Sequence, residues 1–421
     1  MKVLLHTFGS YGDVHPFIGL GLRLLQRGHD VVLVTNEHFA PLAEKVGVPF
    51  VSAISAEAYH QAVHSPDFWH PRKGVPLLIH QGVVPTMHAA YPILRDLVEP
   101  SRTVVIGSSF GWAARLLMER EGVPGATVHL SPTFFRSIEK MPRNFRTRIP
   151  QRLPRFLRPL WWRVGDLAMD RVMLPGLNAF RNKLGLVPVS RVMNNWIHAP
   201  ERVLAMFPNW FAPPPTDWPK QVRYLGFPLY DREDQGQLPG ELESFLDAGS
   251  PPIAFTPGTA MGWGHAFFAR SVAACEKLGR RGLLLTRYPE QIPSNLPKSV
   301  LHVPYAPFSL LLPRVAALVH HGGIGTTAQA LKAGVPQLIR PQAFDQFDNV
   351  DRAAALGVAF EIDEGQYTVD KATTALAKLL SVAKIRAACA EISTRFEGTN
   401  PLHAACDEIE DLLPYRARTS A

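Results

Sequence analysis

Short, nearly unbroken apolar runs alternate with stretches of helical period along most of this chain. Lys2–Thr7 (KVLLHT) reads as a strand buried on both faces, and the turn after it carries Gly9 and Gly12. Phe17–Arg27 shows the apolar spacing of a helix, and Asp30–Thr35 (DVVLVT) closes a strand–helix–strand opening. The same order is expected through Thr103–Gly107, Trp112–Glu121 and Thr127–Leu130. Trp210–Pro219 (WFAPPPTDWP) predicts a rigid surface connection, and polar Tyr230–Gly240 begins an interdomain linker. The pattern then restarts with strand Ile253–Thr256, turn Pro257-Gly258-Thr259 and helix Phe267–Leu278. Further strands are expected at Gly282–Thr286, Ser299–Val303, Ala317–His320 and Pro336–Arg340. This alternation predicts an α/β chain of two Rossmann-like domains with parallel sheets facing an interdomain cleft. The expected bounds are 1–232, a linker over 233–250, a second domain over 251–400, and a C-terminal helix within 401–421 packing back toward the first domain.

Composition narrows this picture. At 421 residues the chain exceeds what one core usually supports, and 46% hydrophobic with 19% charged residues suits a globular protein. Cys275, Cys389 and Cys406 are odd in number and lack CxxC spacing, so neither a disulfide framework nor a zinc site is indicated. A reducing cytoplasm is expected. The first apolar run is too short for a signal peptide, and no run reaches the length of a membrane span.

The formal charge of +8 is unevenly placed. Seven arginines (Arg143, Arg146, Arg148, Arg152, Arg155, Arg158, Arg163) fall between Met141 and Gly165 without an acidic residue, interleaved with Phe145, Ile149, Phe156, Leu160, Trp161 and Trp162. Such a segment suits peripheral contact with the inner face of an anionic membrane. It equally suits a solvated face that packs its apolar side on the protein. Pro150, Pro154 and Pro159 are expected to break any long helix there. No nucleic-acid motif accompanies the charge.

The richest chemistry lies in Leu318–Asn349 (LVHHGGIGTTAQALKAGVPQLIRPQAFDQFDN). A strand feeds a glycine loop and then a helix, an arrangement that offers backbone N–H groups and a positive helix end to an anion. His321, Thr326 and Thr327 add donors. Gly323-Ile-Gly325-Thr-Thr-Ala328 also satisfies GxGxxA, and Asp345 lies 22 residues beyond Gly323, the spacing of a dinucleotide fingerprint. An NAD(P)-dependent oxidoreductase is therefore one alternative. Against it stand His321, for which a nicotinamide site has no use, and the polar set Asp345, Gln346 and Asn349, which suits several hydroxyls.

The segment resembles the donor-binding signature of the family 1 glycosyltransferases, the UDP-glycosyltransferase superfamily of GT-B fold. His321, Gly323, Gly325 and Thr326 match its H-x-G-x-(G/N)-(S/T) core, Asp345-Gln346 its D-Q pair, and Tyr305-Ala306-Pro307 its Trp-Ala-Pro. The resemblance implies that the loop and His321 hold a diphosphate, that Tyr305 stacks on the base, and that Asp345-Gln346, with Asn349, meets sugar hydroxyls. Gln329 stands where plant members carry a ribose-binding glutamate. Gly9-Ser-Tyr-Gly-Asp13-Val-His15-Pro resembles the opening of bacterial members acting on antibiotics, sterols and lipids. There it implies Asp13 as general base, with His15 in reserve; the competing reading of Asp13 is a helix cap. Ser108 and Ser109 occupy the place of the acidic partner in plant enzymes. Asn209–Asp231, Val319–Gly325 and Phe344–Asn349 are similar to bacterial rhamnolipid rhamnosyltransferases.

The resemblance implies an inverting transfer of a hexose from a UDP- or dTDP-sugar, bound in the C-terminal domain, to a hydroxyl of an acceptor bound in the N-terminal domain. Thr259 would assist departure of the diphosphate. The acceptor expected from the Phe-, Trp-, Leu- and Met-rich stretch 50–206 is a lipid, sterol or polyphenol. The nucleotide-sugar is a co-substrate, so no cofactor is expected, and without a D-x-D no metal is implied. A GT-B-fold nucleotide-sugar epimerase is the other alternative.

Overall fold

The computed structural model describes residues 1–63, 66–70, 73–144, 146–230, 237–259 and 261–413. Phe145, residues 231–236 of the expected linker and residues 414–421 of the expected terminal helix lie outside them. The chain divides into two units, one of 1–143, 147–228 and 400–421, the other of 144–146 and 229–399.

The first unit holds seven parallel strands: β1 (Lys2–His6), β2 (Asp30–Asn36), β3 (Phe50–Ile54), β4 (Thr103–Ser108), β5 (Gly125–His129), β6 (Arg202–Ala205) and β7 (Val222–Tyr224). Their order is β3-β2-β1-β4-β5-β6-β7. Every residue of β4 is buried, which is why it reads as a continuous apolar run: helices cover both faces of a parallel sheet. One core cluster joins Leu4, Val34 and Val105 of the sheet to Trp112, Leu116 and Leu117 of helix Trp112–Glu121.

The second unit holds six: β8 (Ile253–Thr256), β9 (Gly282–Leu285), β10 (Val300–Val303), β11 (Ala317–His320), β12 (Gln337–Ile339) and β13 (Ala359–Glu361), ordered β10-β9-β8-β11-β12-β13 and again parallel. The strand order reverses between β1 and β4 in one sheet and between β8 and β11 in the other. Ligand crevices open at the carboxyl ends of strands at such points. Turns Gly9–Asp13 and Pro257–Thr259, and the loop of His321, all start there.

Three expectations change. The first helix runs Tyr11–Gln26, so Asp13 and His15 sit in its first turns rather than in a loop before it. The stretch assigned to the linker contains helix Gly240–Asp247, whose Leu242 and Leu246 enter the core of the second unit. Trp210–Pro219 is more than a surface connection: Phe211 and Trp218 are buried, and Trp218 stacks on Phe135 at 4.6 Å.

The basic segment also differs. Pro159 opens a 26-residue helix, Arg158–Lys183, instead of breaking one. A proline in the first turn lacks only an N–H that no helix bond would use there. The terminal helix Pro401–Glu410 belongs to the first unit, where Arg27 pairs with Asp407 at 2.6 Å and with Glu410 at 3.1 Å. Arg202 pairs there with Glu408. No helix among the described residues is long and apolar enough to cross a membrane.

Candidate active site

In the first unit the turn after β1 presses a carboxylate against the backbone. Ser10 is the N-cap of Tyr11–Gln26 and Asp13 its third residue. Asp13 Oδ2 accepts hydrogen bonds from the Ser10 N–H at 2.7 Å and the Ser10 hydroxyl at 3.2 Å. Gly9, at φ +139°, leaves room for this, because a Cβ there would run into the Asp13 carboxyl. The capping reading of Asp13 is thus realised through Oδ2. Burial raises the Asp13 pKa to about 6, opposed by the bonds from Ser10. At neutral pH it is ionised and more basic than an ordinary aspartate.

His15 lies on the same helix, edge-on to Tyr11 at 5.4 Å. Ser108, the last residue of β4, and Ser109 after it both have partners other than Asp13. Ser108 Oγ accepts from the Phe8 N–H at 3.4 Å. Ser109 pairs with His129 Nδ1 at 2.7 Å, and His129 Nε2 with His198 Nδ1 at 2.9 Å. Burial depresses both histidines, His198 to about 4.

In the second unit His320 ends β11 and His321 follows it, and the alternation of an extended chain sends the two to different surroundings. His320 is buried, accepting the Gly322 N–H on Nδ1 at 3.1 Å and therefore donating from Nε2 to Gln337 Oε1 at 2.9 Å. The Gly322 carbonyl is held from the other side by Asn349 Nδ2 at 2.9 Å. Gly322 sits at φ +92°, a conformation glycine tolerates, with both of its backbone groups clamped by side chains.

His321 packs between two glycines. A Cβ at Gly258 would lie 2.8 Å from its Cε1, and one at Gly323 would collide with its Nε2. Burial, and secondarily the Arg340 charge, lowers its pKa to about 4, so the imidazole is neutral at physiological pH. Its buried Nδ1 has no hydrogen-bond partner among the described residues. Helix Ile324–Lys332 starts directly after Gly323 with no side-chain cap. Gly325 in its first turn is exposed, and a Cβ there would meet nothing within 4 Å. The protein does not itself fill the space over this helix start, where unpaired N–H groups and the helix dipole favour an anion.

The other expected residues divide into two groups. Thr259 is exposed on the turn after β8; Tyr305, Thr326, Gln329 and Asp345 are half-buried, and the Arg287 guanidinium lies 5.7 Å from the Tyr305 ring centre. Three others are turned inward. Asn349 is fully buried and donates its amide hydrogens to the Gly322 carbonyl and, at 2.8 Å, to Asp345 Oδ2, which shapes the loop, while its Oδ1 has no hydrogen-bond partner among the described residues. Gln346 is buried, with Oε1 accepting the N–H groups of Gln342 and Ala343 at 2.8 and 3.1 Å. The Ala306 methyl belongs to the core, which leaves its backbone as the part a ligand could meet. Asp345 itself follows Phe344, a non-glycine residue at φ +56°, strain of the kind found at functional sites. No motif in the sequence marks His320 or Arg340; the histidine doublet at a strand end is the one signal for the first. No cluster able to hold a metal ion occurs among the described residues.

Two doubly wound units, each with a glycine turn at its switch point and one with an uncapped helix start, have the architecture of the GT-B group transferases. Residues 3–140 match the glycosyltransferase family 28 N-terminal domain, and residues 285–402 the erythromycin biosynthesis protein CIII-like C-terminal domain. The O-mycaminosyltylonolide 6-deoxyallosyltransferase of Streptomyces fradiae is 32% identical over 383 residues, 85% of each chain. Among solved structures, the glycosyltransferase of kitacinnamycin aligns over 98% of this chain and 99% of its own, with TM-score 0.75 and 22% identity. A spinosyn rhamnosyltransferase complexed with thymidine diphosphate covers 97% of this chain and all (100%) of its own, with TM-score 0.66 and 19% identity. The chain belongs to the family 1 GT-B glycosyltransferases, alongside enzymes of antibiotic biosynthesis. The oxidoreductase and epimerase alternatives are not favoured.

Proposed function

We propose that this glycosyltransferase moves a hexose from a dTDP- or UDP-sugar to a hydroxyl of a hydrophobic small-molecule or lipid acceptor, with inversion at the anomeric carbon. The observation that carries the reading is the uncapped helix start over Gly325, beside a neutral His321 whose Nδ1 is unpartnered. That arrangement suits a diphosphate: N–H dipoles stabilise charge without a metal, and a neutral imidazole still donates a hydrogen bond. The spinosyn enzyme's thymidine diphosphate and the deoxyhexosyl transfer named for the Streptomyces fradiae relative favour a dTDP-linked donor. Half-buried Phe8, Phe110 and Phe134 pack against the core of the first unit and favour an apolar acceptor.

In the proposed reaction Asp13 Oδ1 takes the acceptor's hydroxyl proton as the acceptor oxygen bonds to the anomeric carbon. The bond from that carbon to the β-phosphate oxygen breaks, and the nucleoside diphosphate keeps the electron pair. Its new charge is met by the N–H groups from Gly323 to Thr326, by His321 and by Thr259. Tyr305 stacks on the base, Gln329 faces the ribose, and Asp345 with the Gln346 amide nitrogen holds sugar hydroxyls. A single displacement of this kind inverts the centre. The test is a thermal-shift panel of dTDP, UDP, GDP and NAD, followed by product analysis with a hydrophobic alcohol acceptor. Stabilisation by dTDP or UDP and a glycoside of inverted configuration are expected. Stabilisation by NAD alone, or a product that retains configuration, would overturn the proposal.

A further inference from the structure

The segment 148–167 of the first unit gathers apolar surface that a face in water alone would not require. Six of the eight large apolar side chains that stand exposed among the described residues lie on it: Ile149, Phe156, Leu157, Leu160, Val164 and Leu167. Phe156 is 79% and Leu167 64% exposed. On helix Arg158–Lys183, Leu160, Val164 and Leu167 follow the i, i+4, i+7 spacing of a single face. The helix does not need that face for its own packing, because Asp166, Met173, Leu177 and Phe180 are buried on the opposite side. It is therefore apolar on two sides, one against the core and one outward.

The exposed charge on and beside the outward face is mainly basic. Arg152, Arg155, Arg163 and Arg171 are exposed on or beside it. The neighbouring carboxylates are already engaged. Glu139 lies 3.6 Å from Arg155, Asp166 pairs with Arg136 at 3.1 Å and Arg191 at 3.3 Å, and Asp170 accepts the N–H groups of Arg191 and Val192. Two other groups of the stretch, Trp162 and Arg158, turn inward. The Trp162 N–H donates to the Ser137 carbonyl at 2.9 Å under the Arg136 guanidinium, and Arg158 donates to the carbonyls of Ile138, Glu139, Gln151 and Leu153. The fold thus separates the segment into residues that anchor it and a row of apolar side chains rimmed by arginines.

We propose that this face lies on the surface of an anionic lipid bilayer. Phe156, Leu160, Val164 and Leu167 enter the boundary between headgroups and acyl chains, and Arg152, Arg155, Arg163 and Arg171 meet lipid phosphates. An amphipathic helix bound in this way joins apolar burial to electrostatic attraction, and a protein partner of ordinary mixed charge would not call for a basic rim.

The experiment is co-sedimentation of the full chain with phosphatidylcholine vesicles and with phosphatidylcholine–phosphatidylglycerol vesicles, at low and raised salt. Binding to the mixed vesicles is expected, with partitioning at least about tenfold weaker to phosphatidylcholine alone and weakened further by salt. Arg152→Gln with Arg163→Gln, and separately Leu160→Asp with Leu167→Asp, are each expected to lower partitioning by about tenfold or more. Both pairs are exposed, so circular dichroism and dTDP-induced stabilisation should match those of the unaltered protein. Absence of vesicle binding, equal binding to the two lipid compositions, or wild-type binding by both double variants would overturn the proposal. So would a dimer in analytical ultracentrifugation that Leu160→Asp dissolves, which would give the face to a second copy of the chain.

Discussion

Replacing Asp13 by asparagine separates two roles that meet on one side chain. The amide keeps an acceptor for the Ser10 N–H, so the helix cap survives, and the substitution removes the carboxylate that the proposed chemistry needs. In the folded protein the Asp13 pKa stands at about 6 against 3.8 in a free side chain, roughly two units, so the charged form is disfavoured by about 3 kcal/mol. A folded-state pKa raised in this way means that the native state binds the proton more tightly. Stability therefore falls as pH rises from 4 through 6, and the penalty is complete above that range. The asparagine side chain never charges, so D13N should be more stable than the parent by up to about 3 kcal/mol at pH 8, and no more stable below pH 4. Transfer should fall by about two to four orders of magnitude, the usual worth of a general base. In the parent, kcat/KM should decline on the acid side with a midpoint near the Asp13 pKa of about 6. The assays are thermal melts of both proteins from pH 4 to 8 and initial rates over the same range. A stability difference that ignores pH would show that the carboxyl is not destabilised in place, and wild-type transfer by D13N would leave Asp13 a cap and nothing more.

The second unit gives four further tests. Gly258→Ala places a methyl 2.8 Å from the His321 ring, so its loss of dTDP affinity in calorimetry should match that of His321→Ala, about ten- to a hundredfold for one lost hydrogen bond to a charged group. Because His321 titrates near 4, affinity in the parent should not rise between pH 8 and 6 on its account; a rise abolished by His321→Ala would refute the neutral imidazole. Gly325→Ala should stabilise the helix by up to about 1 kcal/mol and weaken dTDP binding, since its methyl enters open space over the helix start; undiminished binding would remove the diphosphate from that place. Asn349→Leu strands the Gly322 carbonyl at about 1–3 kcal/mol and should lower the melting temperature and raise the donor KM together, whereas an unchanged melt would refute the clamp.

What the sequence made legible, and what it hid, follows from the range of the forces involved. β8 and β11 occupy the residues their apolar runs mark, because a strand covered on both faces must be apolar throughout and no distant partner alters that rule. The glycine loop was legible for a related reason: close backbone approach restricts the residue type locally. Helix Arg158–Lys183 was hidden because proline's effect depends on its place in the helix, and Pro159 falls where the missing N–H costs nothing. Asn349 shows the deeper limit. Its side chain has the chemistry of a hydroxyl-binding group, and its position beside Asp345-Gln346 suggested one, yet its amide reaches back 27 residues to Gly322. Residue type sets which bonds a group can make; only the packing of helix Gln346–Ala355 beside the β11 loop decides which partner arrives. The same division separates His320 from His321. Alternation of the extended chain at the end of β11 requires them to face different surroundings, but which imidazole braces the loop and which is left with an unpaired nitrogen is decided by Gln337 on the neighbouring strand and by the two glycines that admit the His321 ring.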